Sequence, residues 1–111
     1  MYERDNTLWM VRISSAEQTV PMQLVLNFFA ARTEVLKAIK WDDALKVCEH
    51  EDFFWRARAA GVAVGYCPRA VALHKRDHGG SRYREFRNRI GEMRGMALAK
   101  HGWKKTQWLS L

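Results

Sequence analysis

The stretch that organises this sequence is Glu49–Arg56, which reads EHEDFFWR. Three carboxylates and one histidine fall within four residues, directly before an aromatic run. Acidic residues are favourable at a helix start, because the free backbone N–H groups and the helix dipole stabilise negative charge there. The pattern predicts a helix over Glu51–Ala60, ended by Gly61. A cap needs only one acid, so three indicate a carboxylate held ready to take a proton or to orient a ligand.

The stretches on either side of this helix predict a mixed order of strands and helices. Short apolar runs indicate strands over residues 8–13, 22–31, 62–67 and 70–74. Helical spacing indicates two further helices, one beginning near Thr33 and one running from Ser81 to His101 and ended by Gly102. Loops are expected over residues 14–21 and 77–81. The resulting order is typical of a layered α/β or α+β domain.

The longest predicted helix carries an apolar stripe at spacings of three and four residues. Its members are Tyr83, Phe86, Ile90, Met93 and Ala97. Its arginines fall largely on other faces, which is typical of a solvated helix surface. Contact with phosphate or with an acidic partner is the alternative function for those arginines.

Length and composition predict one small domain, or a piece of a larger one, that can bury a core. The chain has 111 residues, of which 48% are hydrophobic. No apolar run approaches the ~20 residues that span a bilayer, and the N-terminus lacks a signal-peptide layout. We therefore expect a cytoplasmic protein, with peripheral attachment to a membrane as the alternative. Cys48 and Cys67 are too few for a disulfide framework, so both are predicted to be reduced, packed thiols.

The net charge of +7 is placed unevenly along the chain. Residues 1–68 carry 8 Lys and Arg against 9 Asp and Glu, whereas residues 69–111 carry 11 against 3. A basic segment of this kind suits an anionic ligand, an acidic partner, a membrane surface or nucleic acid. Nucleic acid is the least favoured of these partners, because the arginines alternate with core-forming residues and no recognised nucleic-acid motif is present.

Several motifs follow one another in a recognisable order. They are residues 27–32 (NFFAAR), 41–42 (WD), 49–56 (EHEDFFWR), 61–68 (GVAVGYCP) and His74. This series, within residues 22–90, resembles the C-terminal half of the catalytic domain of GT-A-fold glycosyltransferases. It is most like the β-1,4-N-acetylgalactosaminyltransferase type and the inverting family 2 enzymes. The resemblance implies an α/β fold: the C-terminal part of a GT-A, nucleotide-diphospho-sugar transferase fold, with a short mixed sheet packed with about three helices.

The resemblance also implies roles for the matched residues. Asp52 corresponds to the general base that acts on the acceptor hydroxyl, and Glu51 to a residue that binds or orients the acceptor sugar. His74 corresponds to the histidine that completes the coordination of a divalent cation, Mn²⁺ or Mg²⁺, on the donor diphosphate. Substrate contacts are implied for Asn27, Trp41, Trp55 and Arg56.

The chemistry of inverting transfer is consistent with these roles. It needs a carboxylate that is ionised at neutral pH and within hydrogen-bond reach of the attacking hydroxyl. A helix N-terminus favours the ionised form of an aspartate. The leaving nucleoside diphosphate develops negative charge, which a metal ion or the Lys75–Arg76 pair and the basic segment beyond it can stabilise.

The sequence departs from the family pattern in its donor half. The family carries a nucleotide-binding half with an Asp-x-Asp motif N-terminal to these motifs, and this sequence has neither that motif nor a Gly-rich phosphate loop. We therefore expect residues 1–111 to be a single, partial catalytic domain that lacks the nucleotide-binding half, with residues 81–111 as a basic C-terminal helix and tail. The complete enzyme would use a nucleotide-sugar donor and a glycan acceptor, and this chain would not be active alone.

Each of the residues given a functional role also has a purely structural interpretation. The acids of Glu49–Asp52 also suit a solvated first turn, His74 also suits a strand end, and the Trp and Phe residues also suit a core. The alternative function is a non-catalytic interaction module on the same fold, whose exposed apolar face favours a homodimer.

Overall fold

The computed structural model describes residues 1–12, 17–75 and 80–110. These residues form a small α/β protein, which confirms the predicted fold class at that level. The elements are β1 (Tyr2–Arg4), β2 (Thr7–Arg12), β3 (Val20–Met22), α1 (Thr33–Ile39), α2 (Glu49–Ala59), β4 (Val64–Tyr66), α3 (Ser81–Asn88), α4 (Ile90–Lys100) and β5 (Lys105–Ser110). The expected turn at 77–81 and the first part of the loop at 14–21 lie largely outside the described residues.

A three-stranded mixed sheet has the order β1-β2-β5. The β1–β2 hairpin turns through Asp5 and Asn6, whose φ angles are 53° and 56°. Short polar side chains tolerate this left-handed conformation, which a two-residue hairpin turn requires. β5 runs parallel to β2 in a register from Thr7 opposite Lys105 to Arg12 opposite Ser110. The segment expected to be only a basic, aromatic tail is therefore a strand.

A second sheet consists of β3 and β4, which are antiparallel over three residue pairs. The strand predicted over 22–31 is wrong beyond Met22, because the residues that follow it are coil and Leu26 is 82% exposed. The strand predicted over 70–74 is also wrong, since this segment is coil and Leu73 is 96% exposed. Strand-forming residues become a strand only when a neighbouring strand edge and a buried face are available to them.

Helix α2 begins at Glu49 and ends at Ala59. Gly61 has φ of 74°, and its N–H donates to the carbonyl of Arg58 at 3.0 Å while the N–H of Val62 donates to that of Ala57 at 2.9 Å. This pair of bonds is a Schellman motif, in which glycine takes the left-handed position. The predicted role of Gly61 is confirmed.

The helix predicted over 81–101 is two helices, α3 and α4, which meet at Arg89. Because of this break the described residues contain four helices, where about three were expected. The apolar stripe is confirmed at Met93 and Ala97, which are buried, whereas Tyr83 is 54% exposed.

The core lies among β2, the segment before α2, α2 itself and α4. Its buried members are Leu8, Met10, Leu45, Val47, Cys48, Trp55, Met93, Ala97 and Leu98. Cys48 is buried as predicted, but Cys67 is exposed, so its expected packing is wrong. Within the described ranges, no helix combines the length and apolar character needed to cross a membrane.

Candidate functional site

The carboxylate of Asp52 is the centre of a buried charged cluster. Asp52 lies in the first turn of α2 and has 0% exposure. Its Oδ2 accepts a hydrogen bond from Nε of Arg56 at 2.8 Å, and its Oδ1 lies 2.8 Å from Nε2 of His101. The Nζ of Lys100 lies 3.1 Å away. An isolated buried charge is very costly, and these three partners make this one tolerable.

Opposing effects act on the pKa of Asp52. Burial raises it, and the hydrogen bonds with His101, Arg56 and Lys100 together with the Arg56 charge outweigh burial, so the pKa lies below its ordinary value. Asp52 is therefore ionised at neutral pH, as a general base would need to be. Both of its oxygens, however, are occupied by donors from within the protein.

Arg56 connects α2 to the end of α1. Its Nη1 donates to the carbonyl of Ile39, and its Nη2 donates to the carbonyl of Lys40 at 2.8 Å, while Nε holds Asp52. These carbonyls belong to the C-terminal end of α1, where a cation is favourable. Each of the three guanidinium nitrogens thus donates to a protein atom, and these bonds use three of the five N–H groups of the side chain. The substrate contact expected for Arg56 stays a prediction.

Lys100, at the end of α4, bridges two carboxylates. Its Nζ lies 2.7 Å from Asp42 and 3.1 Å from Asp52. The hydrogen bond with Lys100 is the main reason why the pKa of Asp42 is lowered. Lys100, His101 and Asp42 were missed by sequence reasoning, because the two bases lie 48 and 49 residues from Asp52 and no local spacing links them.

The His101 ring is enclosed by two indoles. It stacks on Trp103, with ring centres 5.1 Å apart and planes inclined by 16°, and meets Trp55 edge to face at 5.4 Å. Its side chain is 15% exposed. Packing on two sides and the contact with Asp52 fix the orientation of the imidazole.

Glu51 and His50 form a separate pair at the start of α2. Nδ1 of His50 lies 3.0 Å from Oε2 of Glu51, and their side chains are 22% and 20% exposed. Contact with Glu51 raises the pKa of His50. Burial raises the pKa of Glu51, but His50 and Arg94 outweigh it and the pKa is lowered. Unlike Asp52, Glu51 keeps some contact with the surface.

The two tryptophans predicted to contact sugar lie in different environments. Trp41 is 44% exposed and stacks on Phe53, with ring centres 4.5 Å apart. Phe29 completes this aromatic cluster at 5.9 Å from Phe53. Trp55 is 3% exposed, so it presents no face to a ligand, and its buried Nε1 has no hydrogen-bond partner among residues 1–12, 17–75 and 80–110. Only Trp41 of this pair has an accessible indole.

Asn27 and His74 are exposed and belong to no described helix or strand. In residues 1–12, 17–75 and 80–110, no group of three His, Cys, Asp or Glu side chains is arranged to hold a metal ion. Mn²⁺ and Mg²⁺ prefer several oxygen ligands. The divalent cation that the family resemblance implies, and the role of His74 in holding it, stay predictions.

Comparisons with protein-family models, with curated proteins and with solved structures found no match to this chain. Its function is inferred from the residues of the site and from the order of its motifs.

Proposed function

We propose that this chain forms the acceptor side of an inverting glycosyl-transfer site. In the complete enzyme a sugar would pass from a nucleotide-sugar donor to a hydroxyl group of a glycan acceptor. The observation that carries the proposal is the motif Glu51–Asp52 in the first turn of α2, with the accessible indole of Trp41 stacked on the next residue, Phe53. Carboxylates with lowered pKa values and an exposed aromatic face suit a neutral, hydroxyl-rich ligand.

The chemistry assigns different work to the two carboxylates. As the acceptor oxygen attacks the anomeric carbon, its proton must pass to a base, and the nucleoside diphosphate leaves with the electrons of the broken bond. Asp52 supplies a negative charge that persists at neutral pH, held inside the protein. Glu51 retains partial exposure and suits the orientation of an acceptor hydroxyl.

Sugar binding at Trp41 tests this proposal. We expect N-acetylgalactosamine or galactose, titrated into the ¹⁵N-labelled chain, to shift the indole N–H resonance of Trp41 at millimolar concentration, which corresponds to about −4 kcal/mol. Trp41→Ala should reduce the affinity at least several-fold. Tyr83→Ala, which removes another exposed aromatic ring, is the matched control and should bind as wild type does. The proposal is overturned if no sugar shifts any resonance, or if Trp41→Ala titrates like the control.

Exposed apolar side chains favour a second candidate, a non-catalytic module that associates with another copy of itself. Leu26 and Phe28 are 82% and 64% exposed, and Val71 and Leu73 are 84% and 96% exposed. Both pairs lie outside the strands, the first in the segment that follows β3 and the second in the segment that follows β4. Light scattering after size exclusion should then show a dimer that Leu26→Ser with Phe28→Ser dissociates. A monomer at every concentration would exclude this candidate.

A further inference from the structure

A surface cleft adjoins the buried Asp52 cluster. Its volume is about 270 Å³, and it is lined by the β1–β2 turn at Glu3–Asn6 and by His101–Trp103. His101 belongs to both places, because it lines the cleft and also contacts Asp52 through Nε2 at 2.8 Å. Through His101, the enclosed carboxylate is connected to a space that a ligand can enter.

The contact with Asp52 determines which nitrogen of His101 carries the proton. An ionised carboxylate only accepts hydrogen bonds, so Nε2 of His101 must donate. In the neutral ring Nδ1 is then an unprotonated acceptor, on the side of the ring away from Asp52. Because Nε2 is the nitrogen that contacts Asp52, Nδ1 is the second polar atom of the ring and the one considered for a ligand. In hydrolases that pair a carboxylate with a histidine, the carboxylate fixes the tautomer and orientation of the imidazole in the same way.

The cleft lining indicates the class of ligand. Glu3 and Asp5 only accept hydrogen bonds, Arg4 only donates them, and Asn6 does both. Each of the two carboxylates has a cationic neighbour, since Arg4 lies 3.5 Å from Asp5 and Arg58 lies 3.5 Å from Glu3, so neither an anion nor a cation is favoured. A neutral ligand with several hydroxyl groups matches this lining, because each hydroxyl both donates and accepts. The volume lies just below the ~300–1,000 Å³ of drug-sized sites, which suits one sugar ring better than a nucleotide sugar.

We infer that His101 is a catalytic residue of the acceptor site, with one neutral sugar ring of the glycan acceptor bound in the cleft, distinct from the ring at Trp41, and one of its hydroxyl groups donating to Nδ1. The inference rests on the proposed function. It gives Asp52 a positioning role: Asp52 orients the imidazole and acts on the acceptor only through it.

The transfer step balances with His101 as the base. The acceptor hydroxyl gives its proton to Nδ1 as its oxygen bonds to the anomeric carbon of the nucleotide sugar. The bond from that carbon to the diphosphate breaks, and the nucleoside diphosphate leaves with the electron pair. The imidazolium that forms is stabilised by Asp52, whose carboxylate stays ionised.

A conservative variant separates binding from folding. His101→Gln places an amide N–H where Nε2 donates to Asp52, but it has no atom in place of Nδ1. We expect this variant to keep the wild-type spectrum and to lose at least tenfold in affinity for galactose or N-acetylgalactosamine, which are the probes to titrate. Lys46→Ala, a substitution at an exposed position outside the cleft, is the control. In the wild type, the sugar should shift the Gly102 amide and the Asn6 side-chain amide.

The outcomes distinguish this inference from the proposed function. If sugar shifts are confined to Trp41, or if His101→Gln binds as the control does, the inference fails while the proposed function stands. Absence of any sugar shift overturns both. Shifts of the cleft resonances by inorganic phosphate but not by sugar overturn the ligand class. If His101→Gln does not fold, nuclear Overhauser contacts between sugar protons and the wild-type His101 ring decide, and their absence overturns the inference.

Discussion

The Asp52 carboxylate has no exposed surface, and its oxygens contact Arg56, Lys100 and His101. A general base must touch the proton that it removes. In this arrangement a hydroxyl group reaches Asp52 only after displacing one of these partners or by acting through one. Asp52 binds Arg56 within α2 and the two bases at the end of α4, and Arg56 also binds the end of α1, so this cluster links α1, α2 and α4.

Loss of the Asp52 charge should destabilise the fold. Asp52→Asn keeps the size of the side chain but leaves two cations and a histidine without their shared anion. Breaking a fully buried pair costs about 3–5 kcal/mol, and we expect about 2 kcal/mol here, because Lys100 and Arg56 are partly exposed and can be hydrated. Urea unfolding measures this difference. Asp43→Asn, at an exposed position nearby, should change stability by less than about 0.5 kcal/mol. Equal stability of the two variants would contradict the structural role.

The same carboxylate should make stability depend on acid pH. Its pKa when folded lies below the reference value of 3.8. Its contribution is therefore fully present above about pH 4 and is lost as the pH falls through the folded pKa. Urea midpoints measured between about pH 6 and pH 2 should fall more steeply for the wild type than for Asp52→Asn. Parallel curves would show that Asp52 is not the group responsible.

At the scale of elements, the ends of the helices are the feature that local sequence predicted best. Gly61 and Gly102 both have positive φ and end α2 and α4. The start of α2 differs, since Cys48 occupies the N-cap with φ of 66° and no side chain forms a cap hydrogen bond. The three acids of its first turn supply the favourable charge there.

Two glycine substitutions should change stability in opposite directions. Gly61→Ala forces a side chain into the left-handed region and should cost about 1 kcal/mol, although an added Cβ would meet no atom within 4 Å. Gly95→Ala lies inside α4, also meets nothing, and should stabilise the protein by about 0.5–1 kcal/mol. Thermal unfolding midpoints test the pair. A stabilising Gly61→Ala would mean that α2 does not end in the Schellman motif.

At the scale of the whole molecule, the pairing of β5 with β2 joins the two ends of the chain. The chain between β2 and β5 forms one long connection between these two strands. Two helices within it, α2 and α4, share a core with the buried residues of β2. Leu8, which has 0% exposure, lies in β2 opposite Thr106 of β5. Stability therefore depends on contacts between distant parts of the sequence.

Matched leucine substitutions test where the core lies. Leu8→Ala removes a fully buried side chain and should destabilise the protein by about 2–5 kcal/mol. Leu26→Ala truncates a side chain that is 82% exposed and should change stability by less than about 0.5 kcal/mol. Denaturant unfolding of both variants gives the comparison. A comparable loss of stability in Leu26→Ala would mean that Leu26 packs against another part of the protein instead of facing solvent.

Local patterns predicted part of the fold and part of the site. The acidic start of α2, its end at Gly61, the helical stripe through Met93 and Ala97, and the mixed α/β class were all accessible from spacing and residue type. The strand expected over 22–31 failed beyond Met22 and the one over 70–74 failed throughout, because no strand edge in the described structure pairs with their apolar residues, and local sequence does not contain that information. The strand β5 was missed because it does have a strand edge to pair with, but that edge belongs to β2, about 100 residues earlier in the sequence.

The sequence by itself determined where carboxylates are concentrated, where helices end and which half of the chain is basic. These properties depend on neighbouring residues, whose backbone geometry and charge act over one or two turns. Only the tertiary structure decided that Asp52 is enclosed, that Lys100 and His101 share its charge, and that Arg56 binds the end of α1. Those contacts join residues up to 49 positions apart. They exist because burial of the core brings α2 and α4 together, and a buried charge must then find its partners wherever the fold places them.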